Sequence, residues 1–184
     1  MTQITRERIS QLANKVRINN NVGDDSKFDI YKVVENLGGK ISESDDFDLL
    51  TYGKINKEDD SFRITINKKD SESQKRFTIA HEIGHLYLHL GFGGGMKSRW
   101  NNLQCEFEDN PMFHRASVCY PQGYTEADCE ANAFANDFLM PKELFDKAIK
   151  DLREGNGINP EKLAMHFALS REAVIKRGEL LGYF

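Results

Sequence analysis

The residues most capable of chemistry are two histidines and a glutamate in the stretch His81-Glu82-Ile83-Gly84-His85. Histidines four positions apart lie one turn apart on the same face of a helix, so both imidazoles can bind one Zn²⁺. Glu82 would lie about 100° round the helix, beside the metal without binding it, where a carboxylate can accept a proton from water. The spacing predicts an HExxH metal site, with His81 and His85 as ligands and Glu82 as general base.

The sequence around this motif predicts a long, buried helix over about 71–90. Apolar residues cover most of its circumference, at Phe77, Ile79, Ala80, Ile83, Leu86, Tyr87, Leu88 and Leu90. Imidazoles in such a helix need polar partners, and one metal ion satisfies both. His89 continues the polar stripe by one turn. It is a candidate substrate-side or transition-state group, and its alternative role is a hydrogen bond to a neighbour.

A catalytic zinc needs a third protein ligand, and a helix predicted for 125–139 supplies acidic candidates. The apolar stripe of this helix is rich in alanine and would allow a close approach to the histidine helix; its members are Ala127, Ala131, Phe134, Ala135 and Phe138. Glu130 borders the stripe, where a carboxylate is costly unless it binds a cation. Glu130 is therefore the predicted third ligand and Glu126 the alternative. A solvated acidic edge fits Glu126 and Asp128 better than Glu130.

A second metal site is a weaker interpretation. Its candidates are Cys105, His114, Cys119 and Cys129, whose spacings contain no close C-x-x-C pair. Free or buried thiols are the expected state of these cysteines. An alternative is that one cysteine of the insertion at 91–124 blocks the zinc as a reversible ligand.

Composition and charge exclude several classes of protein. Of the 184 residues, 39% are hydrophobic and 29% charged, as in ordinary soluble domains. The net charge of −4 provides no basic field for nucleic acid. No apolar run approaches the roughly 20 residues that span a bilayer, the N-terminus lacks the apolar region of a signal peptide, and three cysteines are unlike a secreted disulfide framework. We therefore expect a cytoplasmic protein.

Hydrophobic periodicity predicts an α+β fold in one domain over 1–184. The domain would comprise an N-terminal part (1–60), a zinc-site core (61–141, with the insertion at 91–124) and C-terminal helices (142–184). The elements expected besides the two helices above are helices over 5–18 and 30–37, strands over 40–43, 49–55 and 62–66, and helices over 142–153, 160–167 and 171–181. The alternating strand Phe62–Ile66 is expected either at a sheet edge, where extended substrate could add as a strand, or in ordinary sheet core.

Two of these segments resemble the paired signatures of the ImmA/IrrE family of metallo-endopeptidases. They are RFTIAHEIGHLYLH (76–89) and EANAFANDFLMP (130–141), and LAMHFALSREAVIKRGELLGYF (163–184) resembles the tail that many members carry. The resemblance implies a gluzincin-like zinc-protease core, a small sheet packed on the histidine helix and a glutamate-bearing helix. It assigns His81 and His85 to the metal, Glu82 to catalysis and Glu130 to the acidic ligand.

The resemblance also implies a substrate. Members of the family that act on phages or mobile elements are anti-repressors, which cleave a helix-turn-helix repressor usually encoded next door, and others act in stress responses through a similar repressor. The chain would be a stand-alone zinc endopeptidase of this kind, because no N-terminal segment reads as a repressor-type DNA-binding domain.

Two other functions are possible on the residues alone. Leu163–Leu181 has the length of a helix-turn-helix, which would suit a DNA-binding regulator. Residues 159–184 carry four cations against three carboxylates, however, and one net charge is a poor phosphate-binding face. A zinc-dependent binding or toxin-module protein without turnover is the other alternative, and Glu82 argues against it because a structural metal site does not need that carboxylate.

Overall fold

A computed structural model of the chain describes residues 3–46, 53–93, 126–153 and 157–184. These residues form a mixed α+β fold, which confirms the predicted class. The elements are α1 (Gln3–Asn19), α2 (Ile30–Asn36), β1 (Lys40–Ser44), β2 (Gly53–Glu58), β3 (Ser61–Asn67), α3 (Glu72–Leu88), α4 (Glu126–Leu139), α5 (Lys142–Leu152), α6 (Pro160–Phe167) and α7 (Arg171–Leu181). None of the helices in these ranges has the length and apolar character needed to cross a bilayer.

The three strands form one small sheet in the order β1-β3-β2. β1 runs parallel to β3, with Lys40 opposite Arg63, and β2 runs antiparallel to β3, with Gly53 opposite Ile66. The expectation that Phe62–Ile66 lies at a sheet edge is therefore wrong, and its alternative of ordinary sheet core is correct. β3 is hydrogen-bonded on both sides, and its inward side chains Phe62, Ile64 and Ile66 are fully buried.

Helix α3 contacts both the sheet and α4. It begins with a capping box in which the Ser71 hydroxyl accepts from the Gln74 amide and the Gln74 side chain accepts from the Ser71 amide. Its buried side chains occupy almost every direction round the axis. α1 packs against α4, and the shared core includes Ile64, Ile79, Ile83, Phe134 and Phe138.

The last three helices pack against one another, and α7 is attached to the end of α4. The rings of Phe145 and Phe167 stack with their centroids 5.6 Å apart. Arg177 of α7 is 2% exposed; its Nε donates to the carbonyl of Met140 at 3.0 Å, and its Nη2 lies 2.6 Å from Asp137 Oδ1. The segment with helix-turn-helix length thus uses its most buried cation to attach to α4.

Candidate metal centre

His81 and His85 lie one turn apart on α3 and are completely buried. Their Nε2 atoms lie 2.9 Å apart. Asp128 of α4 meets them there, with its Oδ1 at 3.5 Å from His85 Nε2 and 4.0 Å from His81 Nε2. Among the described residues, these three side chains form the group whose ligand atoms are mutually close enough for one metal ion.

The geometry of this group fits a small divalent cation. Two ligand atoms bound at about 2.0–2.1 Å to one tetrahedral zinc lie about 3.3 Å apart. The distance between the two Nε2 atoms, 2.9 Å, is shorter than this value, and the distances from Asp128 Oδ1 to the two histidines, 3.5 and 4.0 Å, are longer. Two imidazoles and a carboxylate are also the donor set of many catalytic zinc sites. The buried His81, His85 and Asp128 can therefore hold a metal ion.

His81 is oriented by a residue of α4. Its Nδ1 lies 3.0 Å from the side-chain oxygen of Asn132, which accepts a hydrogen bond from Nδ1–H and leaves Nε2 with its lone pair toward the metal position. Burial, together with the neighbouring His85, lowers the pKa of His81 to about 3. His81 is therefore neutral at physiological pH, as a metal ligand must be.

Glu82 is fully buried beside this group. Among the described residues, neither of its carboxylate oxygens has a hydrogen-bond partner. Burial, and then the proximity of Asp128, raise its pKa well above the usual range. A cation beside it would favour the ionised form, so an unpartnered carboxylate here is consistent with a metal centre.

Gly53, the first residue of β2, is the point where the sheet meets Glu82. A Cβ atom at Gly53 would stand 3.2 Å from Glu82 Oε1 and would collide with the Thr78 side chain. The absence of a side chain at Gly53 thus allows β2 to begin directly against the site.

His89 and Glu130 form a chain of contacts that leads away from the metal position. His85 Nδ1 lies 3.0 Å from His89 Nδ1, and His89 Nε2 lies 3.1 Å from Glu130 Oε2. Burial, together with His85, lowers the pKa of His89. Glu130, the third ligand expected from the sequence, lies outside the group of converging ligand atoms and contacts His89 instead.

Asp128 and Asn132 are the site residues that the sequence analysis missed. The expectation that Asp128 lies on a solvated edge is wrong, because this residue is 1% exposed. Glu126, by contrast, is exposed. Asp128 and Asn132 are four positions apart and share a helix face with Ala131 and Ala135, and that polar pair along the alanine stripe is the signal that could have found them.

Three of the four candidates for a second metal site lie outside the described residues. Cys129 is partly buried on α4 and forms no disulfide among the described residues. Cys105, His114 and Cys119 lie outside the described residues, as does most of the insertion at 91–124.

Comparison with known families adds an independent observation. Residues 26–95 match the family model Peptidase M78, described as the IrrE N-terminal-like domain. This part of the chain is similar to an IrrE N-terminal-like domain. The resemblance to the ImmA/IrrE family is thus confirmed from α2 through α3, and the match includes the HExxH motif but ends before α4. The similarity to Peptidase M78 supports a metallopeptidase-type function and with it a protein substrate. None of the curated proteins matches the chain.

Proposed function

We propose that the chain is a zinc-dependent endopeptidase, in which His81, His85 and Asp128 hold the metal and Glu82 is the general base. The observation that carries this proposal is the convergence of three buried ligand atoms beside a buried carboxylate that has no partner among the described residues. Asp128 takes the position that the sequence assigned to Glu130, because its Oδ1 reaches both histidines.

The chain's own residues supply the proton transfers and the positioning. When bound, zinc supplies Lewis acidity, polarising the scissile carbonyl and making water a better nucleophile. Glu82 accepts a proton from the attacking water and delivers it to the departing amine nitrogen. Asn132 keeps His81 in the tautomer that leaves Nε2 free. The buried surroundings of Glu82 exclude competing water from the transfer.

Substrate would bind in extended form along β2. This strand pairs with β3 on one side, and in the described sheet its other side is an edge. Its first residue lies against Glu82, so a peptide added to this edge would bring its backbone close to the general base. Strand addition, which the sequence analysis considered for Phe62–Ile66, is thus better supported at β2.

We further propose that the substrate is a helix-turn-helix transcriptional repressor of a phage, mobile element or stress regulon. The support is the confirmed family resemblance over residues 26–95, and a repressor substrate would put the activity in the cytoplasm. The alternative of a DNA-binding protein is weakened by the cations of α7. Arg177 is buried against Asp137, and Arg171 is paired with Glu161 at 2.6 Å.

The test is to mix the zinc-loaded protein with the repressor encoded next to its gene and to analyse the products by mass spectrometry. We expect one or a few internal cleavages, none with Glu82→Gln, and none after the metal is chelated. Intact repressor in every reaction would overturn the repressor proposal. If a panel of unfolded proteins also stayed intact, the endopeptidase proposal would fall with it.

A further inference from the structure

We infer that Glu130 and His89 are positioning residues, which act together to hold His85 in the tautomer that presents Nε2 to the metal. The inference rests on the proposed metal site and gives Glu130 a role other than that of ligand. It comes from the contacts Glu130 Oε2 to His89 Nε2 at 3.1 Å and His89 Nδ1 to His85 Nδ1 at 3.0 Å.

The direction of each hydrogen bond follows from the chemistry of the groups. An ionised carboxylate only accepts, so His89 Nε2 must carry the hydrogen that points at Glu130. A neutral imidazole carries one hydrogen, so His89 Nδ1 is then an acceptor. The facing atom, His85 Nδ1, must therefore donate, and its own single hydrogen is used there. The Nε2 of His85 is left with a lone pair.

That lone pair points to the place where a metal would bind. His85 Nε2 lies 2.9 Å from His81 Nε2 and 3.5 Å from Asp128 Oδ1. The opposite tautomer of His85 would place an N–H there, which would donate to His81 Nε2 and exclude a cation. Asn132 does for His81 what the Glu130–His89 pair does for His85, so α4 orients both histidines of α3.

The location of the pair also suits positioning better than contact with substrate. The side chains of His89 and Glu130 are 14% and 23% exposed, so both are largely withdrawn from solvent. His89 closes α3 as its C-cap, with its amide donating to the His85 carbonyl at 3.0 Å, which fixes the backbone on which the ring is held.

The experiment measures the tautomer directly in the metal-free, full-length chain. The histidines are labelled with ¹⁵N, and two-bond ¹H–¹⁵N spectra are recorded at pH 8, where an ordinary imidazole is neutral. We expect His85 in the wild type to be protonated at Nδ1. In Glu130→Leu and His89→Phe, we expect the His85 tautomer protonated at Nε2 to become populated. Zinc affinity should fall by about 10- to 100-fold, as it does when other residues that hydrogen-bond a metal ligand are replaced.

Glu130→Gln is the conservative variant that separates positioning from ligation. Its amide oxygen can still accept from His89, so the tautomer of His85 should be retained and zinc affinity should fall by less than about tenfold. His166→Gln, on α6, is the control for losing a histidine elsewhere and should change neither readout.

Two results would overturn the inference. One is a His85 tautomer that is protonated at Nε2 in the wild type, or that stays at Nδ1 in both Glu130→Leu and His89→Phe. The other is a zinc affinity as low in Glu130→Gln as in Glu130→Leu, which would identify Glu130 as a ligand. Because the tautomer is read without metal or substrate, failure to cleave any protein would count against the proposed function alone.

Discussion

Gly84 of α3 packs directly against the backbone of Ala131 of α4. A Cβ atom at Gly84 would stand 3.1 Å from both the Cα and the carbonyl oxygen of Ala131, and 3.2 Å from the Cβ of Phe134. These distances are tighter than ordinary van der Waals contact, and backbone atoms cannot move aside as a flexible side chain can. The glycine inside the HExxH motif thus sets how close α4, and with it Asp128, comes to the histidines.

Gly84→Ala should therefore weaken both the fold and the metal site. Overpacking of this kind costs about 1–3 kcal/mol, which exceeds the gain of up to about 1 kcal/mol from placing alanine in a helix. We expect a lower free energy of unfolding in denaturant titrations and a lower zinc affinity. Gly178→Ala, where the atoms nearest to the new methyl belong to the half-exposed Phe184 ring, should leave zinc affinity unchanged. A stabilised Gly84→Ala variant with wild-type zinc affinity would contradict this account of the interface.

The sequence was sufficient to predict α4 and its alanine stripe. It was not sufficient to predict which border of the stripe faces the histidines. At 100° per residue, Asp128 and Glu130 each lie about 80° from the centre of the stripe, on opposite sides. Both positions satisfy the argument that a carboxylate near the core needs a cation. The choice depends on the rotation of α4 about its axis, which is set by the contact of Gly84 with Ala131 and is a tertiary property.

Zinc affinities of three variants decide which carboxylate is the ligand. Asp128→Asn should lower zinc affinity by at least about 100-fold. Loss of a ligand should lower the affinity at least as much as loss of a residue that hydrogen-bonds a ligand. Glu130→Gln should lower it by less than about tenfold. Glu126→Gln, at an exposed position of the same helix, is the control and should bind as the wild type does. Titration against a competing chelator measures all three, and the reverse order of Asp128→Asn and Glu130→Gln would restore Glu130 as the ligand.

Glu82→Gln should separate catalysis from stability. Removing a general base costs about 10²- to 10⁴-fold in rate, so cleavage should be lost while zinc is retained.

In the metal-free chain the pKa of Glu82 is raised above its ordinary value of 4.5, so the folded state holds a proton that the unfolded state releases. This contribution to stability is present below about pH 4.5 and is lost as pH rises through the folded-state pKa.

The pH dependence can be measured by difference. The unfolding free energy of metal-free wild type, minus that of metal-free Glu82→Gln, should fall as pH rises above the ordinary glutamate value of 4.5, because glutamine does not titrate. His81 titrates in both proteins, so its opposite effect cancels. A difference that rises with pH would mean that the folded state favours ionised Glu82 even without metal.

The ion pair between Arg177 and Asp137 should be a strong determinant of stability. Both side chains are more than nine-tenths buried, and removing one partner of a buried pair costs about 3–5 kcal/mol. We expect Arg177→Met to lose stability on that scale in chemical denaturation. Arg171→Met, also on α7, breaks the exposed pair with Glu161 of α6 and should lose far less. Equal losses in the two variants would show that α7 is not attached to α4 through this pair.

Local sequence signals were sufficient for most elements and insufficient for their arrangement. Ser71, Asn159 and Ser170 mark helix starts by side-chain caps, so the starts of α3, α6 and α7 follow from residue types. The place of β3 in the sheet does not, because its alternating pattern suits an edge or a central strand equally. β3 lies in the middle because it pairs with β1 as well as with β2. The β1 pairing is parallel and joins strands that are separated in the sequence by β2.

If His81, His85 and Asp128 form one zinc site, calorimetric titration of the metal-free protein with zinc will show it. We expect one tight site per chain in the wild type, and none of comparable affinity in a His81→Gln, His85→Gln double variant that retains its helical circular dichroism. A double variant that binds one zinc per chain as tightly as the wild type would contradict this assignment.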